Sequence, residues 1–462
     1  MEEDFSKKNV WLRPVDYKSI ISFLVLYAIS GFVTSLQSQE INTYSYNYLY
    51  QTDDWLNTEL LKKDYVDELR EEYKDRFFRV WDDITFTSDS RDYILSLYSR
   101  YKTPGRYFGQ NHKEWENEKL NSYIDNADFS SAPTLKKNAI SVYATNARLL
   151  PTIKPLFLSP DMAGEGYPFD YLQNSAIWPG TPLKIFHTSK DGAWYYCSAP
   201  FVEGWIESKD IAICDDSFVK EYKKNDIGII KKDEISAIDN NGQFISTLYI
   251  GTAISVLNSQ TGIISCLIPK RDEDGNAVIA TTNIRKDQIT LKNDRVYVKD
   301  FYDLVKETIG SPYGWGGAYF TRDCSALIRD IYSVFGIWLP RNSGAQIKAG
   351  KESTGLEGMS KKQKYEKIDS VAIPLLSLIY KKGHIVIYMG YHSNIMMIYH
   401  SAWGVKTSSL MNRGRYVMGG AVLTELEPGK DMPLVEETFM DSFSSFTNLV
   451  PKDDLSPEIL NR

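Results

Sequence analysis

The residues of this chain whose types and spacing suit covalent chemistry are Cys324, His384 and His400. Cys324 lies in the run YGWGGAYFTRDCSALIRDIYSVFGIWLPRNSGAQ at residues 313–346, which joins a glycine-rich approach, an Asp-Cys-Ser triplet and an amphipathic stretch. Beyond the cysteine, Leu327, Ile328, Ile331, Tyr332, Val334 and Phe335 recur at helical spacing, and Gly336 is placed to stop the helix. Asp323 is then the N-cap and Cys324 the first helical residue. A helix N-terminus presents unpaired N–H groups and about half a positive charge, and both favour the thiolate, which is the nucleophilic form. An ionised Asp323 opposes that effect, so its carboxylate is expected to turn onto backbone N–H groups or a ligand. Gly314, Gly316 and Gly317 let the preceding backbone pass close to the sulfur, with Tyr313 and Trp315 as walls of a cleft. Taken alone, Cys324 reads first as a buried cysteine on a core helix.

The run SLIYKKGHIVIYMGYHSNIMMIYHSAWG changes that balance. It holds two apolar strands, 385–389 and 395–399, joined by a turn at 390–394, with His384 opening the first strand and His400 closing the second. In an antiparallel hairpin these ends are neighbours, so His384 can serve as base while His400 orients it. His392 falls in the turn and is expected to be exposed.

The elements that must position these groups are read from the rest of the chain. At 462 residues the sequence accommodates roughly three domains of ordinary size. A net charge of −7 supplies no basic field for nucleic acid. The four cysteines, Cys197, Cys214, Cys266 and Cys324, form no CxxC pair, so neither a zinc site nor a disulfide framework is indicated. Residues 40–145 read as a charged helical domain, with Trp55, Leu56, Leu60, Leu61, Tyr65, Val66, Leu69 and Tyr73 as its stripe. Residues 146–182 are too rich in Pro and Gly for regular structure yet too apolar to float free. They read as a linker packed on other domains, with Glu165 and Asp170 lining a groove or simply joining domains. Short alternating strands then suggest two small β-barrels, 183–222 and 223–298, followed by an α+β domain at 299–430 and a tail at 431–462. His187 and Cys197 fall on these strands and read as structural. The apolar run at 20–36, after Arg13 and Lys18 and before small or polar residues, reads as a cleaved signal peptide within residues 1–38, with an uncleaved anchor or a cytosolic hydrophobic helix as alternatives.

The DCS triplet, the preceding PYGWGG, the following LPRNS, and the segments KKGHIVIYMG and IYHSAWG resemble the NlpC-type cysteine peptidases of bacterial cell-wall metabolism. RLLPT, GEGYPFDYLQ and GTPLKIFHTSKDGAWYY resemble the multidomain members of that group. The resemblance implies a multidomain α+β protein with a helical N-terminal domain, two bacterial SH3-like β-barrels and a C-terminal papain-like catalytic domain. It implies Cys324 as nucleophile, His384 as general base and His400 as orienting residue, with Tyr313 beside the oxyanion site. Asp323, Ser325, Asn342 and Ser343 would touch substrate, and Glu165 and Tyr195 would line one end of the groove. The implied reaction is hydrolysis of the amide between γ-D-glutamate and a diamino acid, usually meso-diaminopimelate, in peptidoglycan stem peptides, with no metal and no cofactor. Asn342 stands where related enzymes that recycle free stem peptides tend to have aspartate. A neutral amide cannot neutralise the amine of an N-terminal L-alanine, which favours a wall-linked stem as substrate. The alternatives are a recycling enzyme restricted to free stem peptides and a non-hydrolytic wall-binding module. The implied location is exported, periplasmic or in the cell envelope, with membrane contact only through the signal segment.

Overall fold

His384–His392 is almost wholly apolar between its ends, the pattern of a strand covered on both faces. In the computed structural model, which describes residues 41–49, 53–82, 84–102, 106–408, 413–435 and 437–460, it is the central strand of a seven-stranded antiparallel sheet. Its neighbours are Ser377–Lys381 on one side and Ile395–Ser408 on the other, and Arg413–Glu425 follows Ile395–Ser408. The hairpin turn is two residues, Ser393 and Asn394, both at positive φ, rather than the five expected. That turn geometry matches the right-handed twist of the flanking strands. His400 does not close its strand, which runs on to Ser408. His392 ends its own strand, half-buried, with its ring 4.1 Å from that of Tyr48.

Helix Cys324–Ser333 packs on this hairpin. Leu327, Ile328 and Ile331 are fully buried, each worth roughly 1.5–3 kcal/mol relative to exposure. An amphipathic helix implies one wet face, yet Arg329, Asp330 and Ser333 are buried as well. Their face is covered by the β-domains. Trp178 Nε1 and Arg322 Nε donate to Asp330 Oδ2, and Arg322 reaches Asp233 with two bonds of 2.7 Å. This buried ion network joins both β-domains to the helix that begins at Cys324.

The domain boundaries shift from those expected. The first β-domain begins inside the predicted helical domain: its seven strands include Lys137–Ser141 and Thr145–Arg148. Gln173–Ile177, within the predicted irregular linker, is a strand of the same sheet, which ends at Ile211–Ile213. The second β-domain is a five-stranded sheet with Ala253–Gln260 at its centre and a separate two-stranded hairpin. Residues beyond 430 are no appendage, because Ser445–Asn448 is inserted into the catalytic sheet between Ser377–Lys381 and Glu352–Gly355. One hydrophobic core runs from Leu69 and Phe77 of the N-terminal helices through Phe218 and Ile229 to Phe301, Leu327 and Phe335. The predicted signal segment lies outside the described residues. Among those residues no helix is long and apolar enough to cross a membrane.

Candidate active site

Cys324 is the first residue of its helix, and Asp323 caps it by accepting a bond of 2.8 Å from the Ala326 N–H. The Asp323 carboxylate also accepts from the Gly316 N–H at 3.0 Å and from the Ser325 hydroxyl at 3.0 Å. Its principal partner is Arg341, which donates to both carboxylate oxygens, at 3.1 and 2.7 Å. Arg341 also donates to Ser325 Oγ at 2.9 Å and to Ser175 Oγ of the first β-domain at 2.8 Å. Asp323 is thus turned inward as expected, but onto a buried arginine that sequence reasoning did not single out. The side chains of Asp323 and Ser325, expected to touch substrate, are engaged in this cluster. The arginine charge holds the Asp323 carboxyl below its usual range against the opposing effect of burial.

The thiol is 7 % exposed. Burial pushes it up to about 12, reinforced by the Asp323 charge. The Ile385 N–H, the Arg341 charge and the Ser325 N–H pull the other way. The helix N-terminus therefore does not by itself make a resting thiolate here, because desolvation of the sulfur outweighs it. Ile385 directly follows His384, so the N–H that favours the thiolate belongs to the start of that strand.

His384 Nε2 lies 2.8 Å from His400 Nδ1. His400 is fully buried, and its Nε2 lies 3.3 Å from Thr424 Oγ1, whose hydroxyl donates to the Glu425 carbonyl. That chain assigns the tautomers. Thr424 spends its proton on Glu425, so His400 donates from Nε2 and accepts at Nδ1, and His384 donates from Nε2. The Nδ1 lone pair of His384 is left free to take a proton. Burial and the Lys381 charge lower His400 to about 3. Burial, with the charges of His400, Lys381 and Arg415, holds His384 well below the usual imidazole range, so both rings rest neutral. Phe439, from beyond the predicted catalytic domain, packs at 5.4 Å from His384 and 5.7 Å from His400.

His384 opens into a cleft of about 430 Å³. Its aromatic wall comprises Tyr313, Trp315 and Trp403 from the catalytic domain and Phe169 from the first β-domain, with Phe169 at 5.0 Å from Trp315 and 6.4 Å from Tyr313. Burial and the neighbouring Cys324 and Asp323 keep the Tyr313 phenol protonated and able to donate. Gly164 lines the cleft, but the expected Glu165 does not; Glu165 is held by backbone bonds to Leu158 and Met162. Asp170 is turned away, buried against Arg148 at 2.6 Å. Tyr195 packs half-buried on the first barrel's own core, and exposed Asn342 and half-buried Ser343 open a short helix outside the cleft lining. Gly316 and Gly317, expected to admit the sulfur, instead admit the first β-domain. A Cβ on Gly316 would lie 2.6 Å from the Gln173 carbonyl, and one on Gly317 would lie 2.7 Å from Ala176 Cβ. All four cysteines are free, and among the described residues no group of His, Cys, Asp and Glu could hold a metal ion.

Comparison with known proteins gives matches at the level of domains and fold. Residues 310–418 match the NlpC/P60 family, residues 23–131 match the N-terminal NLPC_P60 stabilising domain, and residues 155–207 match an SH3 domain of the SH3b1 type. Among solved structures, an NlpC/P60 endopeptidase from Photobacterium damselae subsp. piscicida is similar, with a TM-score of 0.79 at 24% identity over 89% of this chain and 97% of that one. An NlpC/P60 family protein from Bacillus cereus ATCC 10987 gives a TM-score of 0.44 at 15% identity over 68% of this chain and 100% of that one. No curated protein matches the chain. The first likeness shows a shared fold across most of both chains.

Proposed function

Because the chain carries an NlpC/P60 domain together with its N-terminal stabilising domain and an SH3 domain, we propose that it is a cell-wall cysteine endopeptidase cleaving the γ-D-glutamyl–diamino acid amide of peptidoglycan stem peptides. The observation that carries this reading is a thiol on the first residue of a helix capped by Asp323, together with a His384–His400 pair at 2.8 Å whose free nitrogen is a base. His384 Nδ1 takes the Cys324 proton, and the sulfur attacks the γ-carbonyl carbon. The oxyanion is stabilised by the Cys324 N–H and the Tyr313 hydroxyl. As the C–N bond breaks, imidazolium His384 passes its proton to the departing amine, leaving a thioester on Cys324. Water, deprotonated by His384, then attacks the thioester, and the thiol leaves with the proton.

His400 acts by accepting the His384 Nε2–H, which fixes the ring with Nδ1 outward. The resting pair is neutral, so substrate binding must supply part of the stabilisation of the thiolate–imidazolium form. Exclusion of water by the aromatic wall strengthens each electrostatic contact within the cleft. The first β-domain contributes Phe169 and Gly164 to that wall and acts here as part of the active-site enclosure.

Defined muropeptides test the reading. Wild-type protein should release the diamino acid fragment with a new amine, and Cys324→Ala should fold normally and release none. Retention of cleavage by Cys324→Ala would remove the assignment. The wall-linked stem that the sequence suggests, from a residue that does not line the cleft, is tested by comparing two substrates. Faster cleavage of intact sacculi than of free L-Ala-γ-D-Glu-diaminopimelate is expected, and activity on the free peptide alone would identify a recycling enzyme instead.

A further inference from the structure

The cleft beside His384 is strongly cationic. Lys381, Lys382, Lys406 and Arg415 line it, against one lining carboxylate, Glu437. Arg415 is half-buried with its guanidinium 5.5 Å from the centre of the Phe169 ring. Its Nη1 donates one long bond of 3.5 Å to the Gly404 carbonyl, and its Nε has no partner. Lys381 rests its ammonium 4.3 Å from the Phe439 ring centre, and among the described residues neither side chain pairs with a carboxylate. A desolvated guanidinium with free donors is costly unless something answers it.

The position of this vacancy is informative. The face of Arg415 is pressed against the first β-domain so tightly that a Cβ on Gly164 would lie 2.4 Å from its Nη2. That contact and the Phe169 ring leave the guanidinium little freedom to turn to solvent. The same cleft receives His384, which must hand a proton to the departing amine. Whatever binds here is therefore attached to the leaving side of the scissile bond. A planar, bidentate anion fits a guanidinium fork, and the adjacent ammonium adds a second point charge.

We propose that Arg415 and Lys381 form a carboxylate-binding subsite for the residue whose amine leaves, with Gly164 and Phe169 of the first β-domain holding the guanidinium in place. This rests on the peptidase reading above and adds to it a determinant of specificity. The ligand chemistry is an amino-acid carboxylate, of the kind a diamino acid keeps free when its amine is acylated. An amide at that position removes the charge and presents N–H donors to two cations.

The test uses full-length protein and a matched pair of γ-D-glutamyl tripeptides whose third, diamino acid residue ends in a free carboxylate or a carboxamide. Wild-type protein should prefer the carboxylate by about ten- to a hundredfold in kcat/KM, chiefly through KM, the range for one charge-assisted contact. Arg415→Met should erase most of that preference, and Arg415→Lys should retain part of it. Equal use of both peptides by wild-type protein, or an equal loss on both in Arg415→Met, would overturn the subsite. Binding of the same two peptides to Cys324→Ala, followed by calorimetry, reads the discrimination without turnover. If neither peptide is cleaved but the carboxylate form binds more tightly, the peptidase reading fails and the subsite stands; equal binding removes the subsite.

Discussion

Two arginines flank Cys324 and the His384–His400 pair, and they differ in what they leave undone. Arg341 lies under Cys324 and is 4 % exposed, and its three nitrogens donate to Asp323, Ser325 and Ser175. Arg415 lies across the cleft with one long bond to a carbonyl and an unpaired Nε. The first is a closed account of charge: a buried anion and a buried cation fully answer each other and fix the backbone from which the nucleophile projects. The second is open, and among the described residues no carboxylate answers it. A satisfied buried ion pair holds a site together, and an unsatisfied cation in a cleft selects what enters it.

This contrast is most easily broken at Arg341. Arg341→Met should lower stability by about 3–5 kcal/mol, because it strands the Asp323 carboxylate without its partner. Chemical denaturation measures the loss, and adding Asp323→Leu should recover part of it. Arg415→Met, by contrast, should change unfolding free energy by less than about 1 kcal/mol, since it removes a charge that no carboxylate among the described residues answers. A large destabilisation there would place Arg415 in the same structural class as Arg341.

The buried hairpin pair gives the next effect. His400 rests at about 3 in the folded protein, against roughly 6.5 unfolded, so between these values the unfolded chain binds a proton that the folded one refuses. Stability should therefore fall as pH drops below about 6.5, by roughly 1.4 kcal/mol per pH unit for each excluded proton. His384 adds in the same direction. Denaturation at pH 6.5 and 5 should show a shallower slope in His400→Asn than in wild-type protein.

Gly164→Ala sharpens the comparison from the other domain. At φ +89 the substitution is strained, and its methyl displaces the Arg415 guanidinium. Stability should fall by about 1 kcal/mol and KM for carboxylate peptides should rise, with the carboxamide peptide much less affected. The smallest expected effect is at Lys381. Its charge and that of Arg415 depress His384, so Lys381→Met should move the acid limb of the kcat/KM profile to higher pH. A shift in the opposite direction would show that Lys381 does not act on His384 through its charge.

The legible parts of this site were local. Helical spacing after Cys324, the Asp323 cap and the apolar hairpin that carries both histidines are set by residues close in sequence, where backbone geometry alone decides which side chains are neighbours. Arg341 sat in the quoted LPRNS motif without an assigned role, because nothing near it in sequence names Asp323 and Ser175 as its partners. Ser325 has the same history: its hydroxyl was read as facing substrate, and the arginine behind it takes that hydroxyl instead. Glycines 316 and 317 marked a close approach correctly and its object wrongly, since a missing Cβ shows only that something is near.

Composition and alternation likewise indicated β-domains without their limits. Lys137–Ser141 follows a helical region and Gln173–Ile177 follows prolines and glycines, and each becomes a strand only through partners elsewhere in the chain. Strand pairing is a non-local contact, so local sequence texture cannot bound the sheet. The tail was misjudged for the same reason, as Ser445–Asn448 finds its place between two strands formed much earlier in the chain.

By itself the sequence determined that Cys324 opens a helix and that His384 and His400 share one hairpin, because a helix cap and a two-strand hairpin are short-range objects whose geometry follows from residue spacing. Only the tertiary structure decided which charges around them are answered. Arg341 and Arg415 are the same residue type in the same region of the chain, and their difference lies in whether folding brings a carboxylate to them.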